Sequence, residues 1–127
     1  VPVLIDSAGQ LGTASSSQRV KDDIANMGVA SDVLSRLRPV TFTYKAHANL
    51  AQKPLQYGLI AEEVAAVAPE LVARNAAGEI ETVYYQHLAP MLLNELQKQQ
   101  RTIQNQAAQL ELVMRELAAI KLQLPAK

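Results

Sequence analysis

The sequence contains no cysteine and no tryptophan, a single phenylalanine, and no excess of charge of either sign. Without cysteine there is no disulfide scaffold, no thiolate zinc or iron–sulfur site and no cysteine nucleophile. Twelve basic residues balance twelve acidic ones, which argues against a surface built for nucleic-acid phosphates. Four tyrosines and one phenylalanine leave little for base stacking. No apolar run approaches the ~20 residues of a membrane span, and no charged-then-apolar signal peptide opens the chain. The five glycines are scattered and make no phosphate-binding loop. What is present is a chain of 127 residues, enough for one domain or one small domain with an extension. Hydrophobic residues reach 49%, but alanine supplies much of that figure, so a modest core is expected, completed by partner copies. The opening at Val1, without Met, reads as a piece of a longer chain.

Three regions differ in composition. Val3-Leu4-Ile5 followed by Asp6-Ser7-Ala8-Gly9 predicts a strand and a turn, with a second strand near Gln10–Ala14. A lone hairpin is marginal in water and must lean on something else. Ser15-Ser16-Ser17 before Gln18–Asn26 predicts a hydroxyl-capped helix, with Val20, Ile24 and Met27 at helical spacing and Gly28 as its C-cap. Ser31-Asp32 caps a second helix over Val33–Leu37, which must stop before Pro39. Val40–Tyr44 alternates like a strand, and His47–Gln56 reads as a polar loop. A short strand from Tyr57 leads into a helix over Glu62–Val67, ended by Pro69. Leu71–Arg74 and Ile80–Tyr84 flank Asn75-Ala76-Ala77-Gly78, a hairpin signal.

From Gln86 onward nothing but Pro90, expected in the first turn, interrupts a helix until Pro125. Leu96, Ile103, Leu110, Leu117 and Leu124 fall seven apart, and Gln99, Gln106, Val113 and Ile120 occupy the position three further on. This is an a/d heptad ladder of about four heptads. Leucine at a with isoleucine or valine at d leans toward three or four strands, while Gln99 and Gln106 set register at some cost in stability. A helix of roughly 38 residues spans ~57 Å, too long for one small domain to cover. An intermolecular bundle is therefore expected.

Candidates for chemistry are few. His47 and His87 lie far apart, without the local spacing of a metal pair, and read as loop or cap residues. Glu62 and Glu63 are adjacent on a helix and point in different directions, so they form no carboxylate dyad. The remaining pair is Ser16 and Lys21. With Ser17 as N-cap, Ser16 precedes the cap and Lys21 is the fourth helical residue, positions whose side chains meet across a first turn. A neutral lysine can take the proton of a serine nucleophile. The helix N-terminus would disfavour the ammonium form, and its free N–H groups could hold an oxyanion. The nearest target is the Ser15–Ser16 peptide bond. The same spacing also serves a plain helix cap, and on these residues alone both readings stand.

Ser16-Ser17-Gln18-Arg19-Val20-Lys21-Asp22-Asp23-Ile24 resembles the opening of the C-terminal intramolecular chaperone domain of phage endosialidases and tail spikes, the peptidase S74 family. The resemblance continues through Leu34-x-x-Leu37-Arg38-Pro39-Val40-x-Phe42-x-Tyr44-Lys45, Gly58-Leu59-Ile60-Ala61-Glu62-Glu63-Val64, Pro69-Glu70 and Val83-x-Tyr85-x-x-Leu88. It covers roughly Ser16 to Ile103, in order. Ser17 stands where aspartate is common and Glu62 where glutamine is common; Ser17 remains a competent N-cap.

The resemblance implies a homotrimer that helps an upstream β-rich fibre or spike of the same chain to fold, then cuts itself off with a Ser-Lys dyad. The matching positions are Ser16 as nucleophile and Lys21 as general base, with cleavage between Ser15 and Ser16. The expected fold is α+β, mainly helical: an N-terminal β-hairpin, a small α+β unit with short strands, and a long C-terminal helix in a trimeric coiled coil. Residues 1–15 then end the upstream segment, 16–88 form the chaperone unit and 89–127 the trimerisation helix. Its interface is Leu96, Gln99, Ile103, Gln106, Leu110, Val113, Leu117, Ile120 and Leu124. No cofactor, metal, nucleic acid or membrane partner is expected. The same domain occurs in bacterial tail-fibre-like proteins and in a membrane-bound eukaryotic transcription factor of the myelin regulatory type. The expected setting is a phage tail precursor assembled in the host cytoplasm, or a bacterial tail-fibre-like or cell-surface protein. The rival from another class is a permanent clamp, the same trimer without cleavage. A Ser-Lys hydrolase acting on other substrates has too little aromatic and apolar material for a cleft.

Overall fold

In the computed structural model, which describes residues 3–5, 9–45 and 53–125, three antiparallel strand pairs precede one long helix. The pairs are β1 (Val3–Ile5) with β2 (Leu11–Thr13), β3 (Val40–Phe42) with β4 (Gln56–Gly58), and β5 (Val72–Arg74) with β6 (Ile80–Val83). A short helix α1 (Ala61–Val67) separates the second pair from the third, and α2 (Tyr85–Gln123) follows β6. Single 3-10 turns lie at Gln18–Val20 and Pro69–Leu71, with a longer 3-10 run over Gly28–Arg36. The α+β architecture with short strands, an N-terminal hairpin and a long C-terminal helix is the one expected from the sequence.

The core is as small as the composition implied. Val64 and Ala68 from α1 and its end meet Leu71, Val72, Val83 and Met91, all buried. Leu34, Leu37, Leu59 and Leu88 pack half-buried against them. Helix α1 carries Glu62 and Glu63 in its first turn, where the helix dipole favours carboxylates, and it stops at Ala68 because Pro69 follows. The β5–β6 hairpin forms at the expected tetrad. The Asn75 side-chain oxygen accepts from the Ala77 and Glu79 N–H groups, both at 3.0 Å, and Gly78 takes φ +82°, a conformation glycine adopts freely.

Gly58 has a different reason to be glycine. An added Cβ would lie 2.7 Å from the Tyr85 hydroxyl, which accepts the Leu59 N–H at 2.9 Å. That bond ties the end of β4 to the first residue of α2. The helix accordingly starts at Tyr85, and Pro90 falls in its second turn rather than its first. There it removes the bond that would reach the Gln86 carbonyl.

The first part of the chain departs most from expectation. The helix expected over Gln18–Asn26 is a single 3-10 turn, Gln18–Val20, after which Lys21 is extended at φ −129°. Asp22 and Asp23 would sit in the helix interior, where short polar side chains compete with the backbone, and Asp23 instead takes φ +51°. Val20 and Ile24 are exposed at 65% and 64%, so no tertiary surface supplies the packing that holds most helices together. Gly28, at φ +56°, opens the next 3-10 run instead of capping a preceding helix. That run includes Ser31 and Asp32, which were expected to cap a later one. The strand at Val40 is three residues long and ends at Phe42. The turn residues Asp6–Ala8 and the loop from residue 46 to 52, with His47, lie outside the described residues.

A polar network centred on one buried serine fastens the Gly28–Arg36 run to α2. Ser31, fully buried, donates to Glu95 at 2.5 Å and accepts from the Asn94 amide at 2.6 Å. Lys98 bonds Glu95 at 2.7 Å and also pairs with Asp32. Beyond Lys98, α2 is exposed on every side to its end, a free-standing stretch of about 37 Å.

Candidate functional site

The segment Ser15–Lys21 is built by serine side chains. Ser17 caps the 3-10 turn, its hydroxyl accepting from the Arg19 N–H at 3.4 Å and from the Arg19 side chain at 3.2 Å. Its own N–H donates to the Ser15 hydroxyl at 3.3 Å. The turn closes through Val20 N–H to Ser17 C=O and Lys21 N–H to Gln18 C=O, both 3.2 Å. One tight turn followed by an extended residue folds the Lys21 side chain back, and its ammonium donates to the Ser16 hydroxyl at 3.0 Å. The contact expected across the first turn of an α-helix is thus made across one 3-10 turn.

The route matters for the chemistry. A three-residue turn has no appreciable macrodipole, so the expected electrostatic pressure of a helix N-terminus on the lysine is not supplied here. Both Ser16 and Lys21 are exposed in the single chain. Ser15, which contributes the other side of the expected scissile bond, is exposed as well.

The other sequence candidates do not converge on this pair. His87 lies in the first turn of α2 and stacks against Tyr84, ring centroids 5.2 Å apart. Glu63 forms a two-pronged ion pair with Arg38, one prong at 3.0 Å. That hydrogen bond holds the Glu63 carboxyl below its ordinary range and pushes the Arg38 guanidinium up. The pair is made by Glu63 and does not include Glu62. The Arg38–Glu63 pair was not anticipated, although the motifs containing Leu37-Arg38-Pro39 and Glu62-Glu63 held the opposite charges. Glu95 is likewise held low by its bonds to Lys98 and Ser31, and Lys98 is raised by Asp32 and Glu95.

The heptad residues form an uninterrupted exposed face. Leu96, Ile103, Leu110, Val113, Leu117, Ile120 and Leu124 are each at least half exposed, and Gln99 and Gln106 lie open between them. The domain grips α2 from another side, through Met91, Asn94, Glu95 and Lys98. Among the described residues no helix is long and apolar enough to cross a membrane.

The site thus comprises a serine–lysine contact at the start of a small α+β unit and an exposed amphipathic helix at its end. Residues 16–73 match the model of the Peptidase S74 family, described as chaperone of endosialidase, the family that the motifs resemble. The match opens at Ser16; the motifs from Val83 to Leu88 lie beyond it. No curated protein matches the chain.

Proposed function

We propose that this chain is a C-terminal intramolecular chaperone that trimerises through α2, assists an upstream trimeric fibre or spike domain to fold, and releases itself by cutting between Ser15 and Ser16. The observation that carries the reading is the 3.0 Å contact between Lys21 Nζ and Ser16 Oγ at the first residue of the family match. The exposed heptad face supports the assembly half of it. Residues 1–15 then belong to the client's end, 16–88 to the chaperone unit and 89–127 to the trimerisation helix.

The reaction follows from connectivity. With Lys21 neutral, the amine takes the proton of the Ser16 hydroxyl as Oγ attacks the Ser15 carbonyl carbon, closing a five-membered ring. The C–N bond breaks, the Ser16 nitrogen takes the proton, and Ser15 is left as an ester on Ser16 Oγ. Water then hydrolyses the ester, giving a Ser15 carboxylate and restoring the Ser16 hydroxyl. The reacting atoms are held by covalent bonds, so the effective concentration is high without a substrate cleft, and no separate substrate is turned over. No cofactor takes part in these steps.

The rival reading is a permanent clamp, favoured by the exposure of Ser16 and Lys21 in the single chain. Denaturing-gel mass of a protein with its upstream domain separates the two. Cleavage should release a fragment that begins at Ser16 and be lost in Ser16→Ala and Lys21→Ala with folding intact. Lys21→Arg should fail too, since a guanidinium does not deprotonate at usable pH. If Ser16→Ala still yields the fragment, another protease makes the cut and the contact has no part in it. If the parent stays whole while sedimenting as a trimer, the clamp is the correct reading.

A further inference from the structure

An apolar groove of about 630 Å³ opens beside the first turns of α2. Leu34, Leu37, Tyr57, Leu59, Leu88 and Leu92 line it, and its lining carries no charged side chain among the described residues. Tyr57 at 78% and Leu92 at 58% exposure leave it uncovered. The heptad register says what lies over it. Counting back seven from Leu96 and Gln99 gives Ala89 at a and Leu92 at d, so Leu88 is a g position and Leu93 an e position. In a parallel, in-register bundle the g residue of one helix faces the e residue of the next, where ion pairs usually set partner choice. Here both are leucine. Leu93 is 54% exposed and does not line the groove of its own chain; it borders a separate hollow with Ala25, Met27 and Pro90.

We propose that the groove receives Leu93 of a second copy of this chain, extending the interface from the coiled coil onto the α+β unit. The proposal rests on the trimer reading above. It adds a consequence for the cutting segment. Because Leu93 of the second copy is bordered by that copy's own residues 25–28, seating it brings the stretch that follows Lys21 against its neighbour. Ala25 lies four residues along the chain from Lys21, and on this proposal cutting is coupled to the neighbour's contact with residues 25–28.

The absence of native cysteine makes the test direct. Chains with Tyr57→Cys and chains with Leu93→Cys, carrying different tags, are coexpressed and treated with a short bis-maleimide, and the same sample is sedimented. The expected result is a trimer in which the two differently tagged chains become covalently joined. Pairing Leu93→Cys with Leu117→Cys is the control, because those positions stand about 36 Å apart along parallel helices and should not join. A trimer with chains joined through Leu110→Cys but not through Tyr57 and Leu93 overturns the groove assignment and leaves the bundle standing. Joining at Leu93 and Leu117 as readily as at Tyr57 shows the helices to be out of register or antiparallel, and also overturns it. A monomer removes both readings.

Discussion

Replacing Leu110 and Leu117 together by aspartate should dismantle the bundle and, on the proposed coupling, silence cleavage although Ser16 and Lys21 are untouched. In the single chain the two leucines are 60% and 50% exposed, so half or slightly more of each remains to be covered. Full burial of a leucine contributes about 1.5–3 kcal/mol, so each has about 1–1.5 kcal/mol still to gain. Six such side chains meet in a trimer, about 6–9 kcal/mol in all. At about 1.4 kcal/mol per factor of ten, that is a loss of roughly four to six powers of ten in the association constant. Because a trimer constant varies as concentration squared, the midpoint concentration rises by about a hundred- to a thousandfold. Six carboxylates facing one another at the axis add a further penalty. Sedimentation at micromolar concentration should therefore find monomer, and a denaturing gel should find the parent chain whole. A double variant that still sediments as a trimer would show that this face is not the interface. A monomeric double variant that cuts at the normal rate would show that each chain builds its own site.

Gln106→Leu should raise the thermal midpoint of the trimer by several degrees, as three apolar side chains replace three amides at a d layer, and broaden the distribution of oligomers seen by sedimentation. Gly58→Ala places a methyl 2.7 Å from the Tyr85 hydroxyl and 3.3 Å from the Phe42 ring, so it should cost about 1–3 kcal/mol in chemical denaturation. Adding Tyr85→Phe removes the closest atom, and the double variant should lose less than the sum of the single losses; strict additivity would refute the clash. Glu95 is held below the ordinary glutamate range by Lys98 and Ser31, so its bonds stabilise the fold at neutral pH. That contribution is lost as pH falls from about 4.3 through the lowered folded-state value. Thermal midpoints measured from pH 7 down to 3 should therefore fall more steeply for the native chain than for Glu95→Gln, and parallel curves would refute the assignment.

The parts of the fold legible in the sequence are those whose signal is local or periodic. The β5–β6 hairpin was readable because Asn75 and Gly78 each satisfy a backbone requirement within four residues. The ladder from Leu96 to Leu124 was readable because a seven-residue repeat leaves one face apolar whatever the rest of the chain does. The expected helix over Gln18–Asn26 was misread for the converse reason. Val20, Ile24 and Met27 have the right spacing, but spacing stabilises a helix only where a surface is waiting, and Val20 and Ile24 meet none in the single chain. The network of Ser31, Asp32, Asn94, Glu95 and Lys98 had no local signal, since its partners lie more than sixty residues apart. Gly58 and Tyr85 escaped for the same reason, the need for glycine being set by a hydroxyl that arrives from α2.

The site itself was half legible, and the missing half bears on how it works. Five residues of separation and a serine-rich turn were enough to bring Lys21 to Ser16, because reach is a local property of the chain. Activation is not local. A general base acts best where packing keeps water out, and packing is not set by the reach of one side chain. Ser16 and Lys21 have contact without cover, and Val20 and Ile24, on the same segment, are apolar side chains still in solvent. Both deficits would be met by one event if a neighbouring copy packs against this segment, and the proposed seating of Leu93, which borders residues 25–28, would bring one near it. On the proposed reading the chain stays uncut while its copies are separate. On that reading each chain carries the Ser16–Lys21 contact, and the assembled trimer would supply the dryness the chemistry needs.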